Sequence, residues 1–165
     1  MRAGPFVKAA PSAYTLPMSP QFPLSISLVI AVAVQVACQT FKVVFYSIRK
    51  GRFAPRYFLS AGGMPSAHSA FVTALSVSIG LGSGFGSQLF AVSCVFSAII
   101  IYDAWRLRGT VEHHARVLKA LAARHPEVEA GELTDFVGHS PAEIAAGIAA
   151  GVGCAALASL ALRQL

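Results

Sequence analysis

Two histidines stand where long apolar segments begin. His68 ends the sequence PSAH and lies at the start of the apolar run 66–87. His139 directly precedes the run 141–162 and lies four residues before Glu143. A histidine can act as a nucleophile or as a general acid near neutral pH. A carboxylate one helical turn away can fix the tautomer and orientation of an imidazole, so the spacing of His139 and Glu143 favours a functional imidazole at this helix start.

Each of these segments also has a purely structural interpretation. Ser140 and Glu143 match the spacing of a capping box, with Pro141 at the first helical position. That interpretation explains the whole segment except His139. The segment around PSAH has the structural interpretation of a loop, in which Gly63 permits close approach of the backbone, followed by a capped helix start; that interpretation explains every residue except His68. The structural and the catalytic interpretations are not exclusive, and both are kept.

A few cations complete the set of chemically capable residues. Lys42 and Arg49 are seven residues apart, which places them on one face of a helix. Asp103 and Arg108 directly follow the third apolar run. Ser66 opens a helix whose free backbone N–H groups form a ready site for an anion. Together these groups favour a phosphate ester as the ligand, although Lys42 could also snorkel to lipid headgroups and Asp103 could be an ordinary charge at the membrane edge.

The elements that would position these residues are membrane helices. Hydrophobic residues make up 55 % of the 165-residue chain and charged residues only 12 %, about half of the charged fraction of a soluble domain. The apolar residues form four long runs, and roughly 20 such residues cross a bilayer. We therefore expect an all-α integral membrane bundle of about four transmembrane helices. The runs are 23–41, 66–87, 88–102 and 141–162.

Charge is distributed unevenly over the predicted loops. The two long loops carry nine Lys and Arg residues, whereas the opposite side carries three. This asymmetry predicts that the loops and the site face the cytoplasm or, in a plastid, the stroma. The membrane would be a bacterial inner membrane or an organelle membrane. Apolar residues at helical spacing between Val111 and Ala122 also predict a cytoplasmic amphipathic helix in the second loop.

The chain is expected to form one membrane-embedded domain, over residues 23–165, after a flexible or surface-lying arm over 1–22. The fourth run contains the small-residue motif Gly147-x-x-x-Gly151. Such a motif permits close helix contact within a chain or between chains. A homodimer is therefore compatible with the sequence. The other expected partners are membrane lipids, and no nucleic-acid partner is expected.

Three of these motifs resemble the signature of a known superfamily. The set Lys42-x6-Arg49, PSAH and His139-x3-Glu143 is similar to that of type 2 phosphatidic acid phosphatases and vanadium haloperoxidases. The longer segments GGMPSAHSA, YDA and GHSPAEIAAG resemble the divergent branch of that superfamily. The resemblance covers roughly residues 35–155.

The resemblance implies a catalytic role for three residues. His139 would attack phosphorus and form a phosphohistidine, Glu143 would orient it, and His68 would protonate the leaving alcohol. Neither a cofactor nor a metal is implied. The protein would then be a metal-independent phosphatase acting on an isoprenoid or glycerolipid phosphate.

The resemblance also implies a set of groups that bind the phosphate oxygens. These are Lys42, Arg49 and Ser66, with Arg108 taking the place of an Arg that the superfamily carries just before the nucleophile. Gly63 would be an accessory residue, and Asp103 has no counterpart in the superfamily mechanism. Because such departures affect turnover more than fold, we keep a non-catalytic phospholipid- or phosphate-binding module as the alternative. A transporter or channel subunit would need ionisable residues at mid-membrane depth. The four apolar runs lack such residues, which disfavours this function.

Overall fold

The computed structural model describes residues 25–60, 62–125, 138–162 and 164, and all of the regular structure in these residues is helical. The predicted arm over 1–22 lies outside them. The all-α membrane bundle expected from the sequence is confirmed. The elements are α1 (Ile26–Lys50), a 3-10 turn (Pro55–Phe58), α2 (Ala67–Ser83), α3 (Gln88–Tyr102), a π-helical segment (Asp103–Leu107), α4 (Arg108–Ala122) and α5 (Pro141–Leu162).

Three helical stretches are long and apolar enough to cross a membrane. They are Ile26–Lys50, Gln88–Ala122 and Pro141–Leu162. The remaining apolar helix, α2, has 17 residues, which is the lower limit for a span. It lies at the centre of the bundle, in contact with α1, α3 and α5. The protein is therefore a multi-pass membrane protein with α2 as its core helix.

Helix α1 is longer than its predicted apolar run. The apolar run ends at Phe41, before the first charge, but the helix continues to Lys50 and ends at Gly51, as the expected shared face of Lys42 and Arg49 requires. Gly51 has a φ of 62° and donates its N–H to Ile48, as expected for a glycine that terminates a helix. Lys42 therefore lies inside the helix, more than two turns before its end.

Glycines allow α2 and α5 to touch through their backbones. A Cβ at Gly147 would collide with the carbonyl oxygen of Ser66, and a Cβ at Gly151 would collide with that of Ala70. The G-x-x-x-G motif is thus used inside the chain, where it brings the starts of α2 and α5 together. The motif gives no support to a homodimer, which stays a prediction.

The hairpin between α2 and α3 is tight, as predicted from its glycines. Gly84, with a φ of 91°, follows α2, and the Ser87 side chain caps the start of α3. Deeper in the pair, the hydroxyl of Ser76 lies 2.8 Å from that of Ser97, which donates to the carbonyl of Val72. These polar contacts join the two helices where water is absent.

The amphipathic helix differs from its prediction in one respect. It was expected as a separate element in the second loop, but α4 continues α3 through the π-helical segment. A π-turn places one extra residue in the helical ladder and so rotates α4 relative to α3. Ala115 is buried, whereas Val111 and Leu118 are about half exposed.

Candidate functional site

Three hydrogen bonds gather the predicted features at one end of the bundle. The Nζ of Lys42 donates to the carbonyl of Gly62 at 3.1 Å. The N–H of Ser66 donates to the carbonyl of Glu143 at 2.9 Å, and the N–H of His139 donates to that of Ala104 at 3.3 Å. The C-terminal third of α1, the loop before α2, the π-helical segment that follows α3 and the start of α5 therefore meet on one side of the bundle, as alternating spans require.

His139 and Glu143 form a pair at the start of α5. Nδ1 of His139 lies 3.2 Å from Oε2 of Glu143, and the imidazole is fully buried. The same Oε2 accepts the N–H of Ser140 at 3.0 Å, while the Ser140 hydroxyl accepts the N–H of Glu143 at 3.3 Å. One carboxylate oxygen thus closes the predicted capping box and contacts the imidazole as well.

This pairing defines the chemistry that the imidazole can perform. A carboxylate beside Nδ1 favours the tautomer with its proton on Nδ1, which leaves a lone pair on Nε2. Nε2 is buried and has no hydrogen-bond partner among the described residues. The pKa of His139 lies below its ordinary value, mainly because the imidazole is buried. The charges of Lys42 and Arg108 also lower this pKa, whereas Glu143 raises it through the hydrogen bond. The neutral, nucleophilic form is therefore favoured at neutral pH.

His68 faces the same pair from the first turn of α2. Its ring centroid lies 6.5 Å from that of His139, with 62° between the ring planes. Its Nδ1 is buried and has no hydrogen-bond partner in the described part of the chain. Two imidazoles, each with an unpartnered nitrogen, therefore lie near one another at the helix starts.

Lys42 supplies a buried positive charge to this region. Its side chain has no solvent exposure, and within the described ranges it forms no ion pair. Its hydrogen bond to Gly62 ties it to the loop that precedes PSAH. A desolvated ammonium with a single neutral partner can bind a further anion strongly.

Ser66 and Gly63 shape the start of α2. Ser66 is buried, and its hydroxyl lies 3.0 Å from the hydroxyl of Ser69 and accepts the N–H of Ser69 at 3.3 Å. It therefore caps the helix in the way that structural considerations predict. Gly63 is buried with a φ of 92°, a conformation that favours glycine.

Asp103 and Arg108 form an ion pair across the π-helical segment. Arg108 Nε lies 3.0 Å from Asp103 Oδ2, and about a third of each side chain is exposed. Residues five apart do not share a face in an α-helix, but the wider π-turn brings them together. Asp103, whose role was unassigned, thus orients the guanidinium of Arg108, whose charge contributes to lowering the pKa of His139.

Arg49 is a predicted site residue for which no contact with the other site residues is found among the described residues. It is exposed in the last turn of α1, about 10 Å along the helix from Lys42. It forms no hydrogen bond or ion pair with the described residues. Its role in phosphate binding stays a prediction.

A cleft of about 310 Å³ opens beside His139. Gly63, Glu143 and His139 line it, together with two residues of α4 that sequence reasoning missed, Glu112 and Arg116. Oε2 of Glu112 accepts the N–H of Gly138 at 3.1 Å, and Arg116 lies 3.9 Å from the other oxygen. Their i,i+4 spacing was visible in the sequence, but on an amphipathic helix it is typical of a solvated face. No group of three potential metal ligands occurs among the described residues, and metal independence stays a prediction.

Residues 25–154 match the profile of the "Divergent PAP2 family". The chain belongs to this family. The stretch includes every candidate site residue, from Lys42 to Glu143. The match confirms the expected relationship to the divergent branch of the type 2 phosphatidic acid phosphatases and indicates a membrane protein related to phosphatases.

A curated relative supports the same assignment. The chain is 35 % identical to the "Uncharacterized membrane protein YuiD" of Bacillus subtilis (strain 168) over 137 residues, covering 74 % of this chain and 84 % of the relative. No solved structure matches the chain. The relative's description supports the membrane location and assigns no substrate.

Proposed function

We propose that this divergent PAP2 protein is a membrane lipid-phosphate phosphatase that works through a phosphohistidine. The relationship between His139 and His68 carries the proposal. A reacting atom must approach phosphorus to about 3–3.5 Å, and a general acid must lie within about 2.6–3.2 Å of the leaving oxygen. Ring centroids 6.5 Å apart are close enough for the two imidazoles to contact opposite sides of one phosphoryl group.

The first step breaks the ester bond. Nε2 of His139 attacks phosphorus and forms an N–P bond while the P–O bond to the lipid breaks. His68, in its protonated form, gives its proton to the departing alkoxide, which leaves as a neutral alcohol. Glu143 keeps the proton on Nδ1 of His139 and stabilises the positive charge that develops on the ring.

The second step returns the enzyme to its starting state. Neutral His68 removes a proton from water, whose oxygen attacks the phosphohistidine and displaces the imidazole. Lys42, Arg108 and the free N–H groups at the start of α2 stabilise the charge on the phosphoryl oxygens in both steps. Arg49, at the exposed end of α1, attracts the anionic headgroup from the membrane surface.

One observation favours a second candidate, a phospholipid- or phosphate-binding module without turnover. The His139 side chain is fully buried, and the unpartnered Nε2 gains access to phosphorus only when a ligand reaches it from the adjoining cleft. A module of this kind would keep the cations and the helix start and would not need a nucleophile.

Phosphate release by the purified protein in nanodiscs decides between the two. Isoprenoid and glycerolipid phosphates should be hydrolysed by the wild type, and His139→Ala should lower the rate by at least about a thousandfold. His113→Ala, which removes an exposed histidine of α4, is the matched control and should retain the wild-type rate. Acid-labile ³²P on the wild type alone would identify the phosphohistidine.

Two results would contradict the proposal of a phosphatase that works through a phosphohistidine on His139. Equal release by wild type and His139→Ala would show that the nucleophile is misassigned. Absence of release together with binding that survives His139→Ala and weakens in a Lys42→Ala, Arg49→Ala double variant would establish the binding module.

A further inference from the structure

An apolar groove runs along the lipid-facing side of the bundle, between α1 and α5. Both helices pack against α2, and the space between them is about 450 Å³. Its α1 wall is formed by Val34, Cys38, Phe41 and Phe45, which recur at helical spacing and so form one stripe. Phe41 is 54 % exposed and Phe45 is 42 % exposed, so the groove is open sideways to the membrane.

The α5 wall of the groove continues the face that carries Glu143. Ala146, Ala150 and Cys154 line the groove and follow Glu143 at intervals of three, four and four residues, so all four lie on one face of the helix. Glu143 itself lines the cleft beside His139. This face of α5 therefore extends from the candidate site along the wall of the groove.

The loop before α2 borders both the cleft and the groove. Gly63 lines the cleft, whereas the next two residues, Met64 and Pro65, line the groove. A molecule that has its polar end in the cleft and its apolar end in the groove would pass along this loop.

The length of the groove matches one leaflet. From Val34 to Phe45, α1 rises about 16 Å, which is about half of the 30 Å hydrocarbon core. The groove is therefore long enough to extend from the level of the headgroups to roughly the bilayer midplane. The space is lined almost entirely by apolar atoms, and the small side chains of Ala146 and Ala150 leave room for a chain.

We propose that the groove receives one hydrocarbon chain of the phosphorylated lipid whose phosphate occupies the cleft. The inference rests on the proposed function and extends it to the part of the substrate that does not react. The site then selects long-chain phosphate monoesters, because the apolar contacts along the groove add binding free energy with each buried methylene group.

A series of alkyl phosphates tests the groove. Wild-type kcat/KM should rise with chain length from butyl phosphate to hexadecyl phosphate. Ala150→Leu narrows the groove part-way along, and it should lower the ratio of the hexadecyl to the butyl value at least about tenfold, equivalent to two buried methylene groups. Cys154→Phe narrows the deep end of the groove, so it should lower kcat/KM only for esters whose chains are long enough to reach that end. Ala149→Leu adds the same bulk on the exposed face of α5 and should leave the ratio unchanged.

The possible results separate this inference from the phosphatase itself. If the wild type cleaves butyl and hexadecyl phosphate equally well, or if Ala150→Leu lowers both values alike, the groove does not bind the chain although the phosphatase stands. If the wild type cleaves neither ester, the phosphatase fails, and the groove is judged by cross-linking alone.

Cross-linking does not require turnover. Hexadecyl phosphate with a diazirine in its chain, in phosphatidylcholine vesicles, should label peptides of α1 and α5, and Ala150→Leu should reduce that labelling. Labelling mainly of α3 would overturn the proposal. So would a cross-link between the grooves of two chains, which would make this face a contact between copies of the protein.

Discussion

Glu112 accepts a hydrogen bond from the backbone N–H of Gly138 through Oε2, at 3.1 Å. Glu112 lies in α4, whereas Gly138 lies in the segment before α5 and directly precedes His139. A Cβ on Gly138 would come within 3.0 Å of the Cα of Gly109, so α4 and this loop are in close contact. Through this bond α4 fixes the position of the backbone that presents the imidazole.

Glu112 is therefore expected to act as a positioning residue. Glu112→Ala should lower kcat roughly a hundredfold, the scale of a misplaced reacting group, with a smaller change in KM. Glu112→Gln keeps an oxygen that can accept the Gly138 N–H and should restore most of the rate. Steady-state kinetics on one lipid phosphate measures this, and an equal loss in both variants would show that the charge matters rather than the hydrogen bond.

The acid limb of the pH profile should lie below the ordinary pKa of histidine, about 6.5. The nucleophile must be neutral, and burial lowers the pKa of His139, so the neutral form persists to lower pH. The Glu143 carboxylate raises that pKa. Glu143→Gln should therefore shift the acid limb of kcat/KM to still lower pH while reducing kcat about a hundredfold or more.

Ser140→Ala provides the control for this pH shift. It removes the hydroxyl that caps α5 and should cost about 1 kcal/mol of stability, but it leaves the carboxylate beside the imidazole. Its acid limb should coincide with that of the wild type. A shift of the limb to higher pH in Glu143→Gln would contradict the assigned interaction.

Lys42→Met should separate phosphate binding from folding. Replacing a buried charge by an apolar side chain of similar length is often neutral or stabilising, so the midpoint of thermal unfolding should stay the same or rise. The inhibition constant of inorganic phosphate should rise about tenfold or more, because a charge-assisted hydrogen bond contributes roughly 1.5–3 kcal/mol. Lys50→Met removes an exposed charge of the same helix together with its hydrogen bond to Tyr57, and it should leave the inhibition constant of phosphate unchanged.

The contact between α2 and α5 should be sensitive to a single methyl group. A Cβ at Gly147 would lie 3.1 Å from the Cβ of Ser69 and closer still to the carbonyl of Ser66. Gly147→Ala should destabilise the protein by about 1–3 kcal/mol. Gly153 has open space around it, so Gly153→Ala should be neutral or slightly stabilising. Unfolding in detergent measures both, and equal stabilities would argue against this packing.

The helices that begin or end with strong local signals could be predicted from the sequence. The bounds of α3 (Gln88–Tyr102) and α5 (Pro141–Leu162) agree with the apolar runs, because Ser87 caps one and Ser140, Pro141 and Glu143 form the start of the other. The end of α1 could not be read from hydropathy. Lys42 ends the charge-free run, but a buried ammonium that bonds to Gly62 is compatible with a continuous helix.

The relationships that depend on tertiary packing were not predictable. The π-turn that pairs Asp103 with Arg108 has no sequence signal of its own. Glu112 has the pattern of an ordinary surface residue, and only the return of the chain to Gly138 gives it a role. The meeting of His68, His139 and Lys42 at one end followed from alternating spans, whereas their separations depend on the glycines of α5.

The continuous helix from Gln88 to Ala122 has 35 residues, so it is about 52 Å long and exceeds the 30 Å hydrocarbon core. The π-helical segment lies between its apolar and polar parts, and His139 is bonded to Ala104 within that segment. The carbonyl of Ala104 consequently has to lie at the height at which α2 and α5 hold His139, and the number of residues in α3 sets the height of that carbonyl. A one-turn insertion in α3 would move Ala104 by about 5 Å and so break its hydrogen bond to the His139 N–H.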